Sequence, residues 1–200
     1  MNNKILKDTL SLVLITLAAA LCLSVVYGLT KDRIAVAEAE ERMNSYYRVY
    51  PEAASFREAD ELADSSAFSD PNVTVASVLY ALDAQGNEIG CALSVVTNSG
   101  YGGEIVLSLG LTGDGTITGM TVTSMSETSG LGAHCQDEGW QAQFAGIRAP
   151  MITFTKNGKT APNEIDAITS ATVTTTAVVE AVNGGLAFAR TVLGIGTEVQ

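Results

Sequence analysis

The chain's 200 residues leave room for one ordinary domain and an appendage. With 11 Lys+Arg against 22 Asp+Glu it carries a formal net charge of −11, which excludes a polyanion binder and a protein drawn to anionic headgroups. The hydrophobic share, 46%, is ordinary for a globular protein but is unevenly spread.

From Thr9 to Thr30 no residue is charged. A helix rising about 1.5 Å per residue would carry such a span roughly 33 Å, enough to cross a bilayer core. A cleaved signal peptide fits less well. Its apolar region is usually about 7–15 residues and ends at a small-residue cleavage site, whereas this run is longer and meets Tyr27 and then "KDRIAVAEAEERM". We therefore read a retained, single-pass anchor. Lys4 and Lys7 precede it and Lys31 and Arg33 follow it, so the flanking positive charge is nearly balanced. The remainder, residues 31–200, holds 9 Lys+Arg against 21 Asp+Glu, a net charge of −12. The expected organisation is a cytoplasmic N-terminus (1–8), a transmembrane helix (9–30), a helical stalk and edge segment (31–70), and a domain outside the cytoplasm (71–200).

Beyond Pro51 the acidic stretch "EAASFREADELADSSAFSD" reads as a short helix and loop. "VTVASVLYALD" and "EIGCALSVVTN", separated by "AQGN", read as a β-hairpin. "GYGGEIVLSLGL" and "TGDGTITGMTVTSM" supply a third and fourth strand, with glycine at every junction. From Asp137 the spacing of Trp140 and Phe144 predicts a short helix with an aromatic face, more consistent with core packing than with stacking on a ligand. Met120 and Met125 read as strand core, and "MITFT" as a further strand. From Thr175 to Leu193, Val178, Val179, Val182, Leu186 and Ala189 form a helical stripe. The predicted fold class is α+β: a mainly antiparallel sheet covered by helices, with one N-terminal transmembrane helix.

Most site chemistries are excluded. His134 is the only histidine, with nothing resembling a nucleophile elbow near it, so no catalytic triad is assigned. One histidine and scattered cysteines supply no metal site, and there is no phosphate-binding glycine loop. Cys22 lies within the anchor. Cys91 and Cys135 could pair in an oxidising compartment, although their spacing suggests neither a metal knuckle nor a redox pair.

What remains is "IDAITSATVTTTAVVEAV", with six hydroxyl residues in the eight positions from Thr169 to Thr176. Capping by Thr169 or Ser170, with the other threonines lining a packed face, is one reading. The other is a phosphate ester on a threonine at the helix mouth, where free N–H groups and the helix dipole favour negative charge.

The stretch "DAITSATVTT" resembles the flavinylation motif of the FMN-binding domains in Rnf and Na+-translocating NADH:quinone reductase complexes. That motif runs acid, two residues, Ser or Thr, Gly or Ser, Ala, Thr. The resemblance makes Asp166 the acid, with Thr169, Ser170 and Ala171 leading to Thr172 as the acceptor. It implies that a flavin transferase cuts FAD and joins FMN through its phosphate to Thr172. "SETSGLG" is similar to the family's Glu-Thr-Pro-Gly-Leu-Gly segment, which lies against the flavin. Glu127, Thr128, Gly130, Leu131 and Gly132 are therefore expected at the cofactor, with Tyr101, Gly102 and Gly103 walling the same pocket. The likeness spans about residues 73–193 in the family's order.

There are departures. Ser129 replaces the usual proline, "SMS" stands where the family often has a histidine, and Ser170 replaces the commonest glycine, which predicts a backbone there without obligatory positive φ. The resemblance implies an electron-relaying flavoprotein subunit in the bacterial cell membrane, with its FMN outside the cytoplasm. Its partners would be the other membrane subunits of an Rnf-type ferredoxin:NAD complex coupled to Na+ or H+ translocation. It implies no complete reaction by the chain alone. The short chain favours that complex over the corresponding quinone-reductase subunit. A non-redox anchored binding or assembly module, and a flavin reductase of an extracellular electron-transfer route, stay open.

Overall fold

The computed structural model describes residues 3–59, 68 and 70–196. Helix α1 runs over Asn3–Val49. Its N-terminal part contains a window of mean hydropathy 2.5, long and apolar enough to cross a membrane. The chain divides into two compact units, the second opening at Arg42. The stretch 31–70 is thus split, and residues from Arg42 onward belong with the domain instead of a separate stalk. Within the expected edge segment, Ser55–Glu58 is strand β1 and not helix or loop; residues 60–67 and 69 lie outside the described residues.

Strands β2 (Val73–Leu82), β3 (Glu88–Gly100), β4 (Gly103–Thr112) and β5 (Ile117–Met125) follow β1 in an antiparallel meander of order β1-β2-β3-β4-β5. Register places Leu93 opposite Leu109 and Leu109 opposite Met120, which is buried as expected. The central strands read as almost continuous apolar runs because both faces are covered. On one face Leu93, Val95 and Leu109 meet α3 (Thr172–Thr191). The expected stripe on α3 is buried throughout, from Val178 to Ala189. Gly184 and Gly185 interrupt it at about 1 kcal/mol each relative to alanine, and the approach explains them. A Cβ on Gly184 would stand 2.5 Å from Val73, and one on Gly185 2.9 Å from Leu109.

The opposite face is built from small residues, which admit the last turns of α1. Thr118 donates its hydroxyl hydrogen bond to the Val49 carbonyl, and a Cβ on Gly110 would stand 2.4 Å from that same oxygen. Tyr46 and Val49 pack on Leu79 and Ala92. The hydroxyls of Ser45 and Ser108 share a buried hydrogen bond of 2.7 Å, and the Tyr50 hydroxyl donates to the Ile89 carbonyl.

After β5 the chain forms a 3-10 turn (Gly132–Gln136), the short helix α2 (Glu138–Gln141) and a second 3-10 turn (Ala142–Phe144). Phe144 is fully buried, edge-on to Trp140 at 5.4 Å, so this aromatic pair is packing. A two-stranded parallel pair, β6 (Thr153–Thr155) and β7 (Glu164–Asp166), then leads into α3. Cys91 and Cys135 are both buried and unpaired. Burial pushes the Cys91 thiol up to about 12.

The β4–β5 turn carries an acid-sensitive group. Asp114 accepts hydrogen bonds from the Thr112 hydroxyl and the Thr116 backbone N–H, and Arg148 lies 3.3 Å away. Those bonds first, then the arginine, hold its carboxyl at about 2. A folded value below the unfolded one means stabilisation that is present above the unfolded value of about 3.9 and lost as pH falls through about 2. The melting temperature should therefore fall between pH 4 and 2, and Asp114→Asn should flatten that decline. An unchanged slope in the variant would exclude Asp114 as a source.

Candidate functional site

The β3–β4 turn, the loop after β5 and the first turn of α3 converge at one end of the sheet. They enclose a cleft of about 470 Å³, within the range of small-molecule sites. Eight expected residues line it: Tyr101, Glu127, Thr128, Leu131, Gly132, Ser170, Ala171 and Thr172. Tyr101 and Leu131 present exposed apolar surface at its rim.

Glu127 joins the three segments. Its Oε1 accepts the Gly102 N–H at 3.1 Å, and its Oε2 accepts the Thr174 hydroxyl at 2.8 Å. Gly102 thus stands behind the cleft and holds Glu127, with no room for a side chain: its Cβ would sit 2.1 Å from the Ser126 carbonyl. Gly103 takes φ +103 at the same turn. Beneath the loop, burial and then the neighbouring Glu127 push the Cys135 thiol up to about 11.

Neither Thr169 nor Ser170 caps the helix. The N-cap is Ala171, which offers no side-chain oxygen, and α3 begins at Thr172, three residues before the predicted start. The hydroxyls are distributed otherwise. Thr175 accepts the Ile168 N–H at 3.0 Å and donates to the Ala171 carbonyl at 2.9 Å, fastening the entry loop. Thr176 donates to the Thr172 carbonyl and Thr174 to Glu127. The hydroxyl of Thr172, half-buried at the first helical position, bonds to none of the described residues. The backbone N–H groups of Thr172, Val173 and Thr174 likewise donate to none of them; Thr175 is the first to donate, to Ala171.

Ser170 corrects the sequence expectation. Its φ is +63, the left-handed region, and it is the one non-glycine residue there among the described residues. The Ala171 N–H to Ile168 carbonyl bond closes the turn that demands this conformation, so serine occupies a position where glycine would be unstrained.

Besides Gly102 and Gly103, three expected residues do not line the cleft. Asp166 lies on β7, where its carboxylate accepts the Lys159 N–H at 2.7 Å and its carbonyl accepts the Trp140 indole N–H at 2.8 Å. It anchors the strand that enters the loop preceding α3. Gly130 and Thr169 line a neighbouring groove of about 480 Å³ with His134, Asp137 and Trp140; Leu131 and Ser170 border both cavities. Val173 and Thr174 line the cleft without having been expected. The available signal was helical position, since the first three residues of a helix share its open amide end.

This architecture defines a class. Residues 100–187 match the family of FMN-binding domains, and residues 1–49 match the RnfG N-terminal region. The crystal structure of Shewanella oneidensis NqrC has the same fold, with a TM-score of 0.60 at 15% identity over 80% of this chain and 97% of that one. The G subunit of the ion-translocating oxidoreductase complex of Methanosarcina acetivorans is 31% identical over 92% of this chain and 94% of its own. The G subunit of the Na+-translocating ferredoxin:NAD+ oxidoreductase complex of Acetobacterium woodii is 30% identical over 90% and 88%. The chain belongs to the RnfG family, the G subunits of ion-translocating oxidoreductase complexes.

Proposed function

We propose that this chain is the membrane-anchored flavoprotein subunit of an Rnf-type ferredoxin:NAD+ oxidoreductase complex, relaying electrons through FMN esterified by its phosphate to Thr172. The carrying observation is the first turn of α3: a hydroxyl and three amide N–H groups that bond to none of the described residues stand together at a helix end without a side-chain cap. Such an end suits an esterified phosphate, which helix amides and dipole stabilise. An apolar-rimmed cleft beside it suits a planar ring system. The residues present therefore fit an FMN held by such an ester.

Bound FMN would supply the exchange between two-electron and one-electron carriers. The chain's own residues do the rest. Thr172 would tether the group, the α3 amides would hold its phosphate, Tyr101 and Leu131 would flank its ring, and Glu127 with Thr128 would offer polar contacts. Gly132 lets the loop approach α3, while Thr175 and Asp166 hold the acceptor loop from either side. With the residues that precede the span in the cytoplasm, the domain that follows it faces the other side of the membrane. There a covalent tether keeps a cofactor that could not readily be replaced. The remaining membrane subunits complete the electron path, and a flavin transferase is the maturation partner. The corresponding quinone-reductase subunit is the alternative, and its support is a likeness of fold at 15% identity.

The test is flavin fluorescence of the full chain on a denaturing gel after exposure to a flavin transferase and FAD. A fluorescent band is expected; a dark band with a transferase active on another substrate would sink the covalent reading.

A further inference from the structure

The cleft's own charge has the wrong sign for a phosphate. Glu127 is the one charged residue among those that line it, and no lysine or arginine joins it there among the described residues. The carboxylate has no freedom to turn away, because Gly102 and Thr174 hold one oxygen each. Two glycines make its seat: a Cβ on Gly132 would stand 2.4 Å from Oε2, and one on Gly100 2.7 Å from Oε1. Thr174 is the third residue of α3, so Glu127 is tied to the same turn whose amides would face a phosphate. A carboxylate gains from the dipole at such an end, and a second anion arriving there meets a like charge.

We propose that Glu127 is an anion gate. It makes the unmodified cleft reject free phosphate-bearing ligands, FMN included, so that the Thr172 end of α3 stays open until a phosphate arrives covalently. The tether then offsets the repulsion by holding the phosphate at high effective concentration. This rests on Thr172 being the FMN acceptor. Glu127 acts here as a specificity determinant, excluding by charge what the helix end alone would take up.

The test uses the full chain in detergent, made without a flavin transferase and titrated with FMN and with riboflavin, which has the ring but no phosphate. Quenching of Trp140, the lone tryptophan, reports occupancy because it borders the adjoining groove. Wild type should bind FMN no more tightly than riboflavin. Glu127→Gln keeps both hydrogen bonds if the Thr174 hydroxyl turns to accept. It should raise the ratio of FMN affinity to riboflavin affinity on the order of tenfold, the scale of one partly screened charge, because any change in the contacts to the flavin itself is common to both ligands and cancels in the ratio. An unchanged or lowered ratio overturns the gate. So does a wild-type preference for FMN over riboflavin of about tenfold or more, a result that needs no variant and stands if the glutamine variant does not fold. Covalent labelling that fails in the gel assay sinks the acceptor reading; labelling that succeeds beside an adverse titration overturns the gate alone.

Discussion

Thr172→Val is expected to abolish covalent flavin while leaving the fold intact. The Thr172 hydroxyl bonds to none of the described residues, so its removal orphans no partner, and stability should stay within about 0.5 kcal/mol of wild type. Thr175 makes the contrast. Its hydroxyl is fully buried, accepting from Ile168 and donating to Ala171. Thr175→Val would leave a buried N–H unsatisfied and should cost about 1–3 kcal/mol, yet its folded fraction should still label. Thr176→Val, which loses only a bond to the Thr172 carbonyl, should label normally. Denaturing-gel fluorescence and urea melts of the three variants separate these roles. A fluorescent Thr172→Val band would move the acceptor elsewhere in the cluster, with Ser170 next to be tested.

This contrast also shows what a linear reading of the hydroxyl cluster conveyed. That hydroxyls crowd a helix mouth was legible, and the family resemblance proposes which of them is the acceptor. Their division of labour was not. Capping logic assigned an oxygen to Thr169 or Ser170, but the cap is Ala171 and the fastening hydroxyl is Thr175, one turn further on. Ser170 looked like evidence against a left-handed backbone and occupies one, because the turn closing from Ala171 to Ile168 decides its φ.

The four long strands were readable because β-branched runs between glycine turns carry a local signal. Strand β1, "SFRE", carries none. It is mostly exposed, and it exists because β2 offers an edge, with Arg57 over the Tyr80 ring. Of the parallel pair, β6 falls within "MITFT", which read as a strand, whereas its three-residue partner β7 carries no such signal. Glu127 and Thr174 stand 47 positions apart, and no periodicity could announce their contact. Gly110 and Gly119 could be read only as junction or strand glycines. Their shared purpose, admitting Val49 at the end of α1, appears once the strands are side by side.

Gly132→Ala should be the most damaging small substitution in the cleft, and the reason is contact. The new Cβ would stand 2.4 Å from Glu127 Oε2 and 2.5 Å from Thr174 Oγ1, the pair joining the loop to α3. Either that hydrogen bond breaks or the loop withdraws from the first turn of α3. Gly132 does not sit in the left-handed region, so backbone strain plays no part. Gly130 is the converse, with φ +76 and nothing within 4 Å of its added Cβ. Gly130→Ala should cost about 1 kcal/mol of conformational strain and leave the cleft open. Gly132→Ala should cost about 1–3 kcal/mol by overpacking. Its labelling should slow by at least about tenfold, since small displacements of a reacting group carry large rate penalties. Urea melts and initial labelling rates distinguish the two. If Gly130→Ala labels poorly while Gly132→Ala labels at the wild-type rate, loop conformation governs acceptor presentation, and the Glu127–Thr174 contact is dispensable to it.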